Sequence, residues 1–258
     1  MRLIIALLKL CMILIATVFF YVLIIVGIPL SIFGINSKSW RAYFLSKWGA
    51  AVCRIIGLEV EVSGKPPEPP YFMVSNHLSY IDIFMFISKT KSVFIAKSEV
   101  LSWPMFGFMS KTVGMLFVDR SKRTDVKRVN ELISERINES QGILLFPEGT
   151  TTSGAEVLPF KASLLAYPAE LGLPVHYATI SYTTSQDERH ASESVCWWRD
   201  ITFASHFLEL LKLSKIYGTI TFGDEPISNN DRKELANDLY EKSKEQFIPL
   251  IENFEYAK

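Results

Sequence analysis

The sequence predicts an α/β fold with a single mixed-sheet domain and flanking helices, preceded by an N-terminal membrane helix or helical hairpin. The first observation is an uncharged run of 28 residues at 10–37. The second is that, beyond this run, short segments rich in β-branched and aromatic residues alternate with helix-spaced apolar patterns, as in α/β domains. We therefore expect a membrane anchor with an interfacial helix at 1–56 and one folded domain at 57–258.

The composition is that of a chain that folds around a large core. Hydrophobic residues make up 49% of the 258 residues and charged residues 21%, which excludes a disordered chain. Lys plus Arg and Asp plus Glu both number 27, and this balance argues against a dedicated nucleic-acid binder. The charges are unevenly placed, because no acid precedes Glu59. The residues before Glu59 include six bases: Arg2, Lys9, Lys38, Arg41, Lys47 and Arg54.

The three cysteines, Cys11, Cys53 and Cys196, are far apart and lack CxxC spacing. This pattern indicates neither a disulfide framework nor a zinc site. We expect three separate thiols in a body that faces the reducing cytosol.

The uncharged run at 10–37 exceeds the roughly 20 residues that cross a bilayer as a helix. It is too long for the apolar region of a signal peptide, and no small-x-small cleavage site follows it, so an anchor is favoured. Gly27 and Pro29 interrupt the run, and they leave two arrangements open. The helix spans the membrane, or the run divides into a helix and an amphipathic second piece at 38–56 that lies in the interface.

The second piece mixes aromatic and basic side chains, as expected at the depth of lipid headgroups. The aromatic members are Trp40, Tyr43, Phe44 and Trp48. If the first helix spans, the four bases after it outnumber the two before it, which places the body on the cytoplasmic side. The sequence thus predicts a membrane-associated protein with its folded domain facing the cytoplasm.

The body begins after a cluster of prolines at 66–70 and carries seven candidate strands. They are Tyr71–Ser75, Ser92–Ala96, Met115–Val118, Ile143–Phe146, Val175–Ser181, Val195–Phe203 and Ile216–Phe222. Helix-spaced apolar residues between the strands predict helices at 123–139 and 231–247.

Polar segments directly follow three of these strands. Asn76-His77 follows the first, Asp119-Arg120 the third, and the turn Pro147 to Thr150 the fourth. Ligands of α/β sheets bind outside the carboxyl ends of strands, so we expect these segments to converge on one crevice.

The segment NHLSYID at 76–82 has HxxxxD spacing, with His77 on a loop and Asp82 in the first turns of a helix at 80–88. Ser79 is a candidate N-cap of that helix. Asp82 can fold back to accept the Nδ1 proton of His77, which leaves Nε2 free to remove a proton from a hydroxyl. An ordinary histidine with a chance aspartate is the alternative interpretation.

The sequence contains no motif that marks a protein nucleophile or another common catalytic centre, since the chain has no GxSxG, HExxH or Walker sequence. A histidine base without such a nucleophile suits activation of a substrate hydroxyl. GMLFVDR at 114–120 ends in Arg120, whose fork matches a phosphate, unless Arg120 only pairs with Asp119. LFPEGT at 145–150 places Glu148 and Thr150 in a turn after a strand.

In this order, NHLSYID, GMLFVDR and FPEGT closely resemble the first three sequence blocks of the glycerolipid acyltransferases related to 1-acyl-sn-glycerol-3-phosphate acyltransferase. Leu173-Pro174-Val175 is similar to the fourth block. The resemblance covers about residues 71–181, with weaker similarity through 196–198.

The resemblance implies that His77 deprotonates the acceptor hydroxyl, which attacks an acyl thioester directly without an acyl-enzyme. Asp82 would orient His77 and stabilise its charge. Arg120 resembles the ligand of the acceptor phosphate. The other implied substrate-binding residues are Gly114 and Phe117, which shape the Arg120 loop, then Glu148, Gly149 and Thr150, and Lys161 as an additional cation.

By this resemblance, the chain is an O-acyltransferase of phospholipid biosynthesis that converts lysophosphatidic acid to phosphatidic acid. Its partners are membrane lipids, the lysolipid acceptor and an acyl-CoA or acyl carrier protein thioester as co-substrate. No metal, bound cofactor or nucleic acid is implied.

The sequence departs from many members that act on lysophosphatidic acid, because Thr151 follows the third block where they have Arg. With LPFKASLL at 158–165, this stretch also resembles lyso-ornithine lipid acyltransferases. The acceptor therefore stays open, and so do acyl transfer from a phospholipid donor, a lipase-like reaction with water, and a lipid-binding protein without turnover.

Overall fold

The computed structural model describes residues 1–98, 115–118 and 140–251. The strands in these ranges form one mixed sheet of seven strands in the order β1-β7-β6-β2-β5-β3-β4. They are β1 (Leu58–Ser63), β2 (Phe72–Ser75), β3 (Ser92–Lys97), β4 (Leu116–Val118), β5 (Gly142–Leu145), β6 (Val175–Thr184) and β7 (Ile216–Phe222). Strands β6 and β7 pair antiparallel, and the other neighbours are parallel. The predicted mixed α/β sheet is confirmed.

Helices flank the sheet and precede it. In chain order, those in the described ranges are α1 (Arg2–Leu30), α2 (Ser37–Ile56), α3 (Ile81–Lys89), α4 (Ala166–Glu170), α5 (Ala191–Ser194), α6 (Phe203–Leu211) and α7 (Arg232–Gln246). Among the described residues, 3₁₀ turns lie at Ser31–Phe33 and Ala162–Leu165. The predicted helix at 231–247 matches α7, whereas the predicted helix at 123–139 lies outside the described residues.

Helices α1 and α2 form an antiparallel hairpin. The indole N–H of Trp40 donates to the carbonyl oxygen of Leu23 at 2.8 Å, and that of Trp48 donates to Thr17 Oγ1 at 3.1 Å. Near the other end of α1, Lys9 Nζ donates to the carbonyl oxygen of Ile56, at the end of α2, at 3.0 Å. Of the two predicted arrangements, a single N-terminal helix or a helical hairpin, the hairpin is the one observed.

The break in the hairpin follows α1 instead of falling at Gly27 or Pro29. Pro29 lies in the last turn of α1. Gly27 is buried against the ring of Trp40, which leaves no room for a side chain, since a Cβ at position 27 would lie 2.1 Å from that ring. Asn36 then starts α2 by accepting main-chain N–H groups of Lys38 and Ser39. The glycine expected to weaken the helix instead permits close packing of α2.

One face of α1 packs against the protein and the opposite face is apolar and exposed. The buried members are Ala6, Ile24 and Gly27. The largest exposed fractions include Ile4, Leu8, Ile15, Val18 and Phe19. In the described part of the chain, Arg2–Phe33 is the segment long and apolar enough to cross a membrane, which agrees with membrane association.

Helix α2 passes into β1 through Gly57, which has φ +86°. A Cβ at this position would lie 2.6 Å from the carbonyl oxygen of Ser214. Glycine is required here by both its backbone angle and the close approach of the neighbouring chain.

Two predictions about strands need correction. The segment Val195–Phe203 is not a strand, because its main chain bonds to helix α5 and to the loop after His77: the Cys196 N–H donates to the Ala191 carbonyl oxygen, and the Trp197 N–H donates to that of Leu78. Conversely, β1 was missed, although Leu58, Val60 and Val62 alternate with polar residues. The remaining predicted strands overlap observed ones.

The sheet has an apolar cluster on each face. One cluster joins the sheet to α1, α2, α3 and α6, and includes Val52, Met85 and Leu210. The other lies under α4 and α7 and includes Leu165 and Leu239. The N-terminal hairpin therefore shares its core with the sheet, which joins the hairpin to the body.

Candidate active site

The site lies where β2 and β5 end side by side. The two strands are parallel, with Val74 paired to Leu145, so the segments that follow them leave the same edge of the sheet. The side chain of Asn76 fixes this exit: its Oδ1 accepts the Ile180 N–H at 2.8 Å, and its Nδ2 donates to the Ile180 carbonyl oxygen at 3.1 Å. An amide supplies both a donor and an acceptor, as a main-chain group does, so the loop stays attached to β6.

His77 and Asp82 form the hydrogen bond that their spacing predicts. Nδ1 of His77 lies 2.7 Å from Oδ2 of Asp82. The Asp82 side chain is fully buried, whereas that of His77 is 20% exposed. When Nδ1 carries the proton toward Asp82, Nε2 is the unprotonated nitrogen that can accept a proton from a ligand.

Asp82 accepts three further hydrogen bonds. The main-chain N–H groups of Leu78 and Ser79 donate to Oδ2 at 2.8 and 2.9 Å, and the Tyr182 hydroxyl donates to Oδ1 at 2.6 Å. Four donors around one buried carboxylate stabilise its negative charge and fix its orientation.

The predicted cap at Ser79 is wrong. Helix α3 begins at Ile81, and the side chain of its N-cap residue, Tyr80, makes no capping hydrogen bond. Asp82 itself binds the free N–H groups ahead of the helix, so the carboxylate serves both the helix start and His77.

Tyr182 belongs to the site, although no sequence motif predicts it there. The predicted strand ended at Ser181, whereas β6 continues to Thr184 and carries Tyr182 to the site. Burial, reinforced by the Asp82 charge, raises the pKa of Tyr182 well above its ordinary value, so the hydroxyl keeps its proton and donates. The alternating pattern of β6 extends past Ser181 and was the available signal.

The ring of Phe146 covers one face of His77. The ring centroids are 4.0 Å apart and the planes differ by 8°. Phe146 directly follows β5, so the strand end places the ring. Stacking and the Asp82 hydrogen bond together restrict the imidazole to one orientation.

Glu148 is buried beneath the His77 loop. Its Oε1 accepts the His77 N–H at 3.0 Å and its Oε2 accepts the Leu158 N–H at 3.3 Å. Burial raises the pKa of the Glu148 carboxyl to about 8, although the two main-chain donors act in the opposite direction. Through these two hydrogen bonds Glu148 holds the His77 loop in place. A contact between Glu148 and an acceptor stays a prediction.

The residues after Glu148 continue along the same loop. Gly149 has φ +74°, and Thr150 is exposed. The Thr152 N–H donates to the His77 carbonyl oxygen at 3.0 Å, and the Thr151 hydroxyl donates to the Trp197 carbonyl oxygen. The first and third polar segments therefore converge, as expected.

The remaining predicted site residues differ in their placement. Phe117 is buried on β4, while Lys161 is exposed and bonds through its N–H to the Pro147 carbonyl oxygen at 3.0 Å. Gly114 and Arg120 lie outside the described residues, so the convergence of the second segment stays a prediction. The contact of Lys161 with an acceptor likewise stays a prediction.

Cys53 and Cys196 are poorly suited to nucleophilic catalysis. Cys53 and Cys196 are buried and free, and Cys11 is free and exposed. Burial raises the pKa of the Cys53 thiol to about 12 and that of Cys196 well above its ordinary value, which disfavours the thiolate. In the described ranges, no group of three or more His, Cys, Asp or Glu side chains could hold a metal ion.

Comparison with known proteins gives one family. A family model described as Acyltransferase matches residues 59–181. The chain is 33% identical over 196 residues to the lyso-ornithine lipid O-acyltransferase of Rhodobacter capsulatus, covering 72% of this chain and 70% of the relative. It is 35% identical over 172 residues to the 1-acyl-sn-glycerol-3-phosphate acyltransferase of Neisseria gonorrhoeae, covering 63% and 66%.

A solved structure shares the fold. The 1-acyl-sn-glycerophosphate acyltransferase of Thermotoga maritima superposes with a TM-score of 0.63 at 20% identity. The match covers 95% of this chain and 97% of that chain, so it includes the N-terminal hairpin as well as the sheet.

Proposed function

The chain belongs to the acyltransferase family, and we propose that it moves a fatty acyl group from an acyl thioester to the free hydroxyl of a lysolipid. The acceptor we propose first is lysophosphatidic acid, which would become phosphatidic acid. The observation that carries the proposal is the 2.7 Å hydrogen bond between His77 Nδ1 and Asp82, which leaves Nε2 of a partly exposed imidazole to act as base.

The proposed reaction proceeds in one displacement without an acyl-enzyme. Nε2 of His77 removes the hydroxyl proton as the acceptor oxygen attacks the thioester carbonyl carbon. The carbon–sulfur bond then breaks, and the proton passes from His77 to the leaving thiolate, so an ester and a free thiol are produced. Asp82 holds the tautomer and stabilises the imidazolium that exists after His77 takes the hydroxyl proton and before it protonates the leaving thiolate.

The substrate contacts of the proposal follow the family resemblance. Arg120, with Gly114 and Phe117 shaping its loop, would bind the acceptor phosphate, with Lys161 as an additional cation. Glu148, Gly149 and Thr150 would border the acceptor. Acyl-CoA or an acyl carrier protein thioester is the co-substrate, and we assign no metal or bound cofactor.

A second candidate acceptor is a lyso-ornithine lipid. Thr151 directly follows the FPEGT block, and a threonine supplies no cation for a phosphate. Its hydroxyl donates to the Trp197 carbonyl oxygen instead. Relatives described as lyso-ornithine lipid O-acyltransferases support this candidate.

We also propose that α1 inserts into one leaflet and does not cross the bilayer. Arg2, at the start of α1, pairs with Glu188 of the body at 3.1 Å, and beside the other end of α1 the guanidinium of Arg41 donates to Gln141 Oε1 of the body at 3.1 Å. A crossing helix would place these two contacts on opposite sides of the membrane, although both belong to one packed unit. The exposed apolar face of α1 would then face the acyl chains, with the domain in the reducing cytoplasm.

The test is acyl transfer by detergent-purified wild type and His77→Ala. Lysophosphatidic acid and lyso-ornithine lipid are each offered with acyl-CoA and with acyl carrier protein thioester. His77→Ala should lower kcat by about 10²–10⁴-fold, the usual contribution of a general base. His190→Asn is the matched control, because it removes an exposed histidine that caps α5 and replaces it with another good capping residue.

Each result decides between candidates. Activity that survives His77→Ala would overturn the mechanism, and the acceptor that is consumed identifies the substrate. Faster transfer from a labelled phospholipid than from any thioester would indicate a transacylase. Release of free fatty acid from that phospholipid without transfer would indicate a lipase-like hydrolase. Specific binding of a lysolipid without turnover of any donor would indicate a binding protein.

A further inference from the structure

The main chain of Trp197 lies between the two loops that build the candidate site. Its N–H donates to the Leu78 carbonyl oxygen at 2.8 Å, one residue after His77. Its carbonyl oxygen accepts the hydroxyl of Thr151. A segment more than 100 residues from Leu78 and 46 residues from Thr151 in sequence therefore contacts both the histidine loop and the FPEGT loop.

These contacts close a ring of hydrogen bonds around His77. The Thr152 N–H binds the His77 carbonyl oxygen at 3.0 Å, and Thr152 is covalently joined to Thr151. Thr151 binds Trp197, Trp197 binds Leu78, and Leu78 is joined to His77. The Thr151 hydroxyl is the one side-chain link in this ring, whereas the other links are main-chain groups.

Trp197 is itself held in place, so it can serve as a fixed support. Its indole N–H donates to the Ile201 carbonyl oxygen at 2.9 Å. Its ring packs edge-on against Tyr80 and Phe203, with centroids 5.7 and 6.1 Å away. A hydrogen bond to a support of this kind restrains the loop more than a bond to a mobile segment would.

We infer that Thr151 is a positioning residue for His77, acting through the main chain of Trp197, and that its hydroxyl does not serve the acceptor. The inference rests on the proposed role of His77 as base. Without the hydroxyl, the ring opens between Thr151 and Trp197: the Trp197 carbonyl oxygen loses its donor, and the Thr152 N–H that binds the His77 carbonyl oxygen is no longer held to Trp197 through Thr151. Small displacements of a base relative to the reacting hydroxyl lower kcat strongly, while the affinity for substrate depends on other contacts.

A graded series at position 151 tests the inference in the full-length protein in detergent. Thr151→Val keeps the shape and removes the hydroxyl, Thr151→Ser keeps the hydroxyl, and Thr151→Cys supplies a weaker donor. We expect kcat to fall about 10-fold in Thr151→Val with the acceptor KM within about 2-fold of wild type. Thr151→Ser should stay close to wild type, and Thr151→Cys should fall between.

The matched control is Thr183→Val, which makes the same change at an exposed position of β6 and should leave kcat unchanged. A rise in acceptor KM with unchanged kcat in Thr151→Val would make Thr151 an acceptor ligand and overturn the inference. Equal kcat in all variants would also overturn it.

Hydrogen exchange of residues 76–82 provides a readout that does not depend on turnover. We expect faster exchange in Thr151→Val than in wild type or Thr151→Ser, at equal Tm. Unchanged exchange contradicts the inference. Loss of wild-type turnover in every assay would count against the proposed function alone, whereas the exchange comparison would still decide whether Thr151 restrains the loop. If Thr151→Val does not fold, the comparison between Thr151→Ser and Thr151→Cys decides.

Discussion

The hydroxyl of Tyr182 donates a 2.6 Å hydrogen bond to Oδ1 of Asp82, on the side of the carboxylate opposite the His77 contact. Both side chains are essentially buried, with relative exposures of 1% and 0%. Tyr182 thus supports Asp82, the residue that orients the proposed base. The hydroxyl of Tyr182 bonds to Asp82 and not to the His77 imidazole. Asp82 is held from β6 as well as from its own loop.

Tyr182→Phe should lower kcat by about 10-fold, because it leaves one buried oxygen of Asp82 without its donor, a loss of about 1–3 kcal/mol. The acceptor KM should change little. Steady-state kinetics with the preferred acceptor check this. Tyr71→Phe is the control, since it removes another buried hydroxyl that binds Ser92, away from Asp82. Equal loss of kcat in both variants would show a general effect of lost stability.

Glu148 should make the protein less stable as pH rises. Its pKa is about 8 in the folded state against 4.5 ordinarily, so between these values the folded protein holds a proton that the unfolded chain has lost. The stabilisation is complete below about pH 4.5 and is lost as pH rises through about 8. The Tm difference between wild type and Glu148→Gln should therefore shrink from pH 5 to pH 8.5.

Thermal unfolding in detergent across this range is sensitive enough, because about 1 kcal/mol shifts the Tm of a domain of this size by about 2–4 °C. Gln also places an amide N–H group against a main-chain N–H group, so the variant should be less stable at pH 5. A Tm difference that is constant or grows with pH contradicts the raised pKa.

Charges on the exposed face of α1 should release the protein from membranes. Ile15 is 70% exposed and Val18 61%. A carboxylate in the centre of a bilayer helix costs about 2.5–3.5 kcal/mol, so Ile15→Asp with Val18→Asp should lower the vesicle-bound fraction at least about 10-fold. Flotation with vesicles measures this. Leu171→Asp, at an exposed apolar position of the body, is the control and should float like wild type.

Gly57→Ala should destabilise the protein more than Gly34→Ala. Both glycines have φ near +85°, which costs roughly 1–2 kcal/mol for a residue with a Cβ. At Gly57 the new methyl group also meets the Ser214 carbonyl oxygen at 2.6 Å, whereas at Gly34 nothing lies within 4 Å. Comparing the two Tm values separates the contact from the backbone angle. Equal losses would show that the chain at Ser214 moves aside.

Local patterns were sufficient to predict much of the fold and the central pair of the site. His77 and Asp82 are five residues apart, so their contact depends on one loop and one helix start. The amphipathic α7 and the short apolar strands can also be predicted from the spacing of apolar residues within a few positions. The apolar run predicted α1, and the hairpin was one of two arrangements that the run allowed.

The failures occurred where distant parts of the chain decide the structure. Val195–Phe203 has the residue types of a strand, but Trp197 finds its main-chain partners in Leu78 and Thr151 instead of in a neighbouring strand. Tyr182 became part of the site only because β6 runs beside β2 and β7. No local pattern shows which hydroxyl will reach Asp82.

The distances in sequence between the partners of the site set an order of events during synthesis. Tyr182 is 100 residues after Asp82 in the sequence, and Ile180 is 104 residues after Asn76, so each later partner is synthesised well after the earlier one. At about 5–20 residues per second, the ribosome needs about 5–20 s to make such a stretch, while the hairpin at 1–56 has already been made. A nascent chain can thus reach the membrane before its base is oriented.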